Sequence, residues 1–312
     1  MKRSYILIFA VIVLATCFTG NAQQDPQYTQ YMYNTQVVNP AYAGSRESLS
    51  IGALYRSQWV GLEGAPKTFT LSGHAPIGFS NVGLGMSIVR DEIGPSTETW
   101  ANIDFSYTIQ TSEQGKLAFG LKTGASIVDI DYSKLTAFDP SELPESNIDN
   151  KVNFQIGAGV FYYTEKFYAG LSVPNFVEST HFDQASIENT SISALGKDRL
   201  HYFFITGYVF DLSENVKFKP ALMTKMVTGS PLQIDGSANF LFYDKFTLGA
   251  AYRWSAAWSA MAGFQITDEL FLGFGYDRET TDLTKYNDGS FEVFLRFELF
   301  KRAERILSPR FF

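Results

Sequence analysis

The chain holds one cysteine, Cys17, in 312 residues, so no intrachain disulfide can form. It has three histidines, His74, His181 and His201, all far apart in sequence. It has no HExxH run, no GxSxG elbow and no phosphate-binding loop, and so carries no recognisable signature of an enzyme or of a bound cofactor. Charged residues make up only 18% of the chain, below the usual quarter. The formal charge of -7 argues against nucleic acid as a partner. Asp129 and Asp131, or Asp277, Glu279 and Asp282, could in principle meet a divalent cation, but they have no fixed ligand spacing and no metal site is assigned. Beyond the first residues no apolar run approaches the roughly 18–20 residues of a membrane-spanning helix.

What the chain does have begins with a leader. Lys2 and Arg3 precede an apolar stretch from Ile6 to Ala15, and Gly20-Asn21-Ala22 offers a small-residue cleavage site before Gln23. Residues 1–22 therefore read as a secretory signal peptide. Its removal would also discard Cys17. Residues 23–45 are polar, rich in Gln, Asn and Tyr, and show no convincing strand or helix. Asn39-Pro40-Ala41-Tyr42-Ala43-Gly44 reads as a fixed turn. Tyr28, Tyr31, Tyr33 and Tyr42 are costly to expose, so this segment is expected either as a periplasmic arm or packed in a lumen.

From residue 46 to 300 the pattern is alternation. Ala101, Ile103, Phe105, Tyr107 and Ile109 face away from Asn102, Asp104, Ser106, Thr108 and Gln110. Phe291, Val293, Leu295, Phe297 and Leu299 oppose Glu292, Arg296 and Glu298. About fourteen such stretches follow one another. Six connections are short: 76–81, 112–115, 165–166, 213–215, 244–245 and 268. The others are longer, notably 131–150, 174–199 and 278–289, with 227–230 and 255–256 as brief exceptions. Tight turns on one side and long loops on the other are the habit of bacterial outer-membrane barrels. An even strand count places both barrel ends on the periplasmic side. Mean hydropathy of -0.06 suits a wall in which only alternate side chains meet lipid. Aromatics reach 16%, and Trp59, Trp100, Tyr162, Tyr163, Tyr252, Trp254, Trp258 and Tyr276 lie near expected strand ends, where interfacial girdles form. The expected fold is all-β: a 14-stranded antiparallel transmembrane outer-membrane β-barrel over 46–300, with 301–312 as a periplasmic tail. A soluble β-sandwich is the rival.

The expected inward face carries glycines (Gly120, Gly124, Gly157, Gly159, Gly170, Gly249, Gly263), which either widen a channel or let a bound segment approach the wall. It also carries charges of both signs. Mutual pairing of these charges is one reading. The sharper one makes Lys116, Lys122, Lys217, Lys219, Asp235, Arg253 and Arg296 a lumen that binds a polypeptide partner.

The segment Asp25-Pro26-Gln27-Tyr28-Thr29-Gln30-Tyr31-Met32-Tyr33-Asn34, then Val38-Asn39-Pro40-Ala41-Tyr42-Ala43-Gly44, resembles the opening of the PorP/SprF family. So do Tyr55-Arg56-Ser57-Gln58-Trp59-Val60-Gly61, Ala65-Pro66-Lys67-Thr68 and the closing Ser308-Pro309-Arg310-Phe311-Phe312. The resemblance implies an outer-membrane component of the type IX secretion system of Bacteroidota, with no cofactor. Its partners would be outer-membrane lipid, the C-terminal sorting domain of a secreted adhesin-like protein bound for export or surface attachment (gliding adhesins among them), and periplasmic lipoproteins of the system. A core-machinery role linked to a periplasmic ring and a passive porin stand as alternatives. By the same resemblance Tyr42, Arg56 and Trp59 would hold the N-terminal segment near the barrel entrance, and the turn containing Asn39, Pro40 and Gly44 would be structural.

Overall fold

A computed structural model describes residues 26–78, 81–135, 146–177, 200–228 and 230–299. The expected leader and the tail at 301–312 lie outside the described residues, as do 136–145 and 178–199 of the two longest loops. Fifteen strand segments follow in order: β1 (Leu49–Ser57), β2 (Lys67–Pro76), β3 (Val82–Ile93), β4 (Ser96–Gln110), β5 (Lys116–Ile130), β6 (Ile148–Tyr163), β7 (Phe167–Val173), β8 (His201–Tyr208), β9 (Phe210–Ser213), β10 (Val216–Val227), β11 (Gln233–Phe242), β12 (Phe246–Arg253), β13 (Ala257–Gln265), β14 (Leu270–Glu279) and β15 (Ser290–Leu299). Segments β8 and β9 both pair with β10 and form one wall strand, interrupted at Val209. The interruption lies opposite Lys219, beside Pro220, which has no N–H to give the ladder. Each strand pairs antiparallel with its chain neighbours, and β15 pairs with β1 from Leu49↔Leu299 to Ser57↔Phe291. The sheet is a closed 14-stranded barrel. Closure satisfies every wall strand's ladder and leaves no sheet edge for hydrocarbon.

The burial pattern is inside-out. On β15, Phe291, Val293, Leu295, Phe297 and Leu299 are exposed, while Ser290, Glu292, Arg296 and Glu298 are buried. On β1, Ile51 and Tyr55 are exposed while Ser50 and Arg56 are buried. A soluble sandwich would bury the apolar set, so this inversion removes that rival. Two-sidedness has a simple cause: successive side chains of a strand alternate across the sheet.

Six short turns mark one mouth of the barrel, including 111–115, 164–166 and 243–245. The connections at the other mouth include 58–66, 131–147, 174–200 and 280–289. One difference from the sequence reading lies here. Strands β3 and β4 join through the two residues Gly94 and Pro95 rather than a longer loop. Alternation continues through Val89, Asp91 and Glu98, but charged residues hide it from an apolar count. Gly94, with φ of 56°, makes the turn. Two expected girdle residues also turn inward: Tyr163 is buried, and Trp100 lines a cavity of the bore. Their position in the alternation, not their distance from the strand end, decides their side. Trp254 and Trp258 are exposed.

Candidate functional site

The bore is occupied by the chain's own residues 26–48. They form a one-turn helix (Thr35–Val38) and a 3-10 turn (Pro40–Tyr42), with Asn39 between them. The Asn39 side chain accepts from the Ala41 N–H at 3.0 Å, which caps the turn. Proline suits the first position of that turn because its missing N–H would have had no partner. The segment starts at the long-loop mouth and descends to the short-turn mouth, where it enters β1.

At the long-loop mouth, Arg253 donates to Gln27 (3.0 Å) and to Asp235 (2.7 Å). The Tyr28 hydroxyl bonds the Thr70 hydroxyl at 3.0 Å. Below this, Glu292 receives the backbone N–H groups of Thr29 (2.9 Å) and Gln30 (2.8 Å). Arg56 donates to Asp277 at 2.7 Å and to Glu292 at 3.3 Å, and the Thr29 hydroxyl donates to Asp277 at 2.6 Å. All of these groups except the half-buried Gln27 are buried. The wall thus offers two carboxylates to a short stretch of N-terminal backbone and neutralises them with one guanidinium.

Midway, the Gln36 amide donates to Asp104 (3.0 Å), which pairs with Lys122 at 2.8 Å. The Tyr33 ring stacks on Phe294, with centroids 5.4 Å apart, and Arg296 and Lys219 lie 5.7 and 5.8 Å from its centroid. At the short-turn mouth the Asn39 amide donates to the Val160 carbonyl (3.1 Å), and the Ser172 and Ser106 hydroxyls each donate, at 2.7 Å, to the carbonyls of Val38 and Ala43. The Gly44 N–H donates to His74 Nδ1 at 3.1 Å. Tyr42 packs edge-on against His74 and Phe161. Arg46 is bound by Glu298, and its charged form is favoured by that carboxylate although burial opposes it. Glycine lets the backbones meet: a Cβ on Gly120 would lie 2.1 Å from the Ala41 nitrogen, and one on Gly83 would lie 2.3 Å from the Ala43 oxygen.

The residues singled out from sequence fall into distinct places. Asn39, Pro40, Tyr42, Gly44 and Arg56 are in or against this inner segment, whereas Trp59 lies in the 58–66 connection and donates to Glu279 at 3.1 Å. Lys122, Lys219, Asp235, Arg253 and Arg296 line the bore, where they meet the inner segment or one another. Lys116 pairs with Glu47 at the short-turn mouth, and Lys217 pairs with Asp244. Asp277 belongs to β14 and faces the bore, not an outer loop. Among the described residues no cluster of His, Cys, Asp and Glu could hold a metal ion. Thr29, Gln30 and Gln36 were not legible as contacts, since a polar run without periodicity does not say where it docks. The glycines of the wall were the available signal.

A family model described as "Type IX secretion system membrane protein PorP/SprF" matches residues 20–297. No curated protein matches the chain. Similar solved structures include the outer membrane protein Omp33 of Acinetobacter baumannii, at 11% identity over 81% of this chain and 100% of that one, with a TM-score of 0.47. The CymD monoaromatic hydrocarbon channel matches at 12% identity over 90% and 94%, with a TM-score of 0.47. The NanC porin matches at 10% identity over 81% and 100%, with a TM-score of 0.42.

Proposed function

Because the chain belongs to the PorP/SprF family of type IX secretion system membrane proteins, we propose that this outer-membrane barrel holds the C-terminal sorting domain of a secreted adhesin-like protein for export or surface attachment. The observation that carries the reading is the filled bore. Residues 26–48 bond to walls on opposite sides and at both mouths, so the barrel is built as an anchor rather than as a conduit. A passive porin needs an open lumen, and the lumenal lysines and arginines that would have gripped a threaded partner are engaged within the chain. The partner is therefore met at a mouth of the barrel. Detergent extraction of the tagged barrel from its own cells tests this. A secreted protein is expected to co-purify through its C-terminal domain and to detach from the cell surface when the barrel is deleted. Normal surface display of every secreted protein in the deletion strain would overturn the reading.

A further inference from the structure

The inner segment fills the bore unevenly. At the long-loop mouth it is bonded to β11, β12, β14, β15, β1 and β2 through Gln27, Tyr28, Thr29 and Gln30. Against the opposite wall a cavity of about 260 Å³ remains, many times the ~30 Å³ that one water occupies in the liquid. Val38 of the inner segment with Val89, Trp100 and Phe203 of the wall form its apolar part, and Asp91, Glu98, Lys122 and His201 also belong to its lining. Besides Asn175, whose amide donates to the Val177 carbonyl, two carboxamides line it, Asn102 on β4 and Gln155 on β6. Each is only 8% exposed, yet neither has a hydrogen-bond partner among the described residues, and the Asn102 oxygen is a buried orphan. The register accounts for their placement. Asn102 lies opposite Gly124, and Gly124 opposite Gln155, so the two amides flank a position with no side chain. A Cβ at Gly124 would stand 2.3 Å from the Asn102 oxygen.

Buried amides are normally paired, because leaving one unpaired forfeits its hydration. Two together, in a roomy cavity open at one mouth, mark a binding place. A carboxamide presents an acceptor and two donors in one plane, the complement of a peptide group. We infer that this cavity binds an extended polypeptide segment, seating one apolar side chain among Val38, Val89, Trp100 and Phe203 while Asn102 and Gln155 hydrogen-bond the segment's backbone. The inference rests on the partner-holding function proposed above and adds the site. Since long loops face outward in bacterial outer-membrane barrels, the segment arrives from outside.

The mature barrel in detergent is titrated with N-acetyl-phenylalaninamide, with binding read by ligand-observed NMR. Saturable binding is expected. It should weaken at least tenfold in the double variant Asn102→Leu, Gln155→Met, which removes both unpaired amides at nearly constant volume. Val89→Trp, which fills the apolar part, should abolish it. Unchanged affinity in the double variant overturns the inference, as does tighter binding of N-acetylglucosamine than of the capped amino acid. If Val89→Trp does not fold, the double variant decides alone. Co-purification is run beside the titration. A partner retained equally by wild type and double variant overturns the cavity as its site and leaves the partner-holding function standing. No partner with either protein overturns that function, while the titration still decides the cavity.

Discussion

At the long-loop mouth Arg56 sets one positive charge against two carboxylates, Asp277 and Glu292, with all three shut away from water. Burying such a group is tolerable only while it stays paired. Replacing Arg56 by Leu leaves both acids uncompensated and is expected to cost about 3–5 kcal/mol, read as a lower denaturant midpoint for the folded barrel in detergent. Replacing Glu292 by Gln should cost less, because the amide oxygen still accepts from one of the two N–H groups, of Thr29 or Gln30, that the separate carboxylate oxygens receive. A denaturant midpoint unchanged by either substitution would show that the cluster does not hold the fold. Gly120 makes a separate claim at this scale. Its alanine variant pushes a methyl into the Ala41 backbone, and overpacking of this kind costs about 1–3 kcal/mol. The loss should largely vanish when residues 26–45 are also deleted, since the clash is with them and not with the wall.

The inner segment acts as one element although it has almost no regular secondary structure. Its shape is held by contacts to the wall: carboxylates that receive its N–H groups, hydroxyls that reach its carbonyls, and glycines that let it lie close. The full-length barrel in a planar bilayer is accordingly expected to show no steady ion conductance. Deletion of residues 26–45 should produce it, with the charged bore of Asp104, Lys122, Lys219 and Arg296 exposed to water. Steady conductance in the full-length protein would contradict a sealed bore. In sequence this stretch shows no convincing strand or helix, though Thr35–Val38 makes one helical turn, and its tyrosines needed cover. The sequence did not show the cover, because contacts such as Thr29 with Asp277 join residues 248 positions apart.

For the molecule as a whole, orientation is the remaining physical variable. Loops such as 280–289 stand at the mouth where the cavity opens, and turns such as 111–115 stand at the sealed mouth. An epitope placed within 280–289 is expected to be labelled on intact cells, and one placed within 111–115 only after the outer membrane is permeabilised. The inner segment reverses a simple expectation about ends. Leu49 and Leu299 do sit together at the short-turn mouth, but Gln27 lies at the other mouth, beside Gln233 and Arg253. An epitope inserted ahead of Pro26 should therefore label with the loops. Labelling of all three sites on the same side would contradict the placement of the inner segment.

Alternation, with the one-sided loop lengths, pointed to a closed sheet of about fourteen strands with a lipid face and an interior face, and the burial of its polar set removed the sandwich rival. A strand's side chains change sides at every residue, so their parity is written in the sequence. Parity also named most of the buried charges, from Asp104 to Glu298. It failed where charge replaced apolar residues near the Gly94 turn, and it had no purchase on residues 26–48, which have no period. Only the tertiary structure decided that Arg56 answers Asp277 and Glu292, that the bore is filled, and that Asn102 and Gln155 are left without partners beside a cavity. Those outcomes depend on which distant strands come to face one another across the lumen, and closure of the ring, not local pattern, sets that.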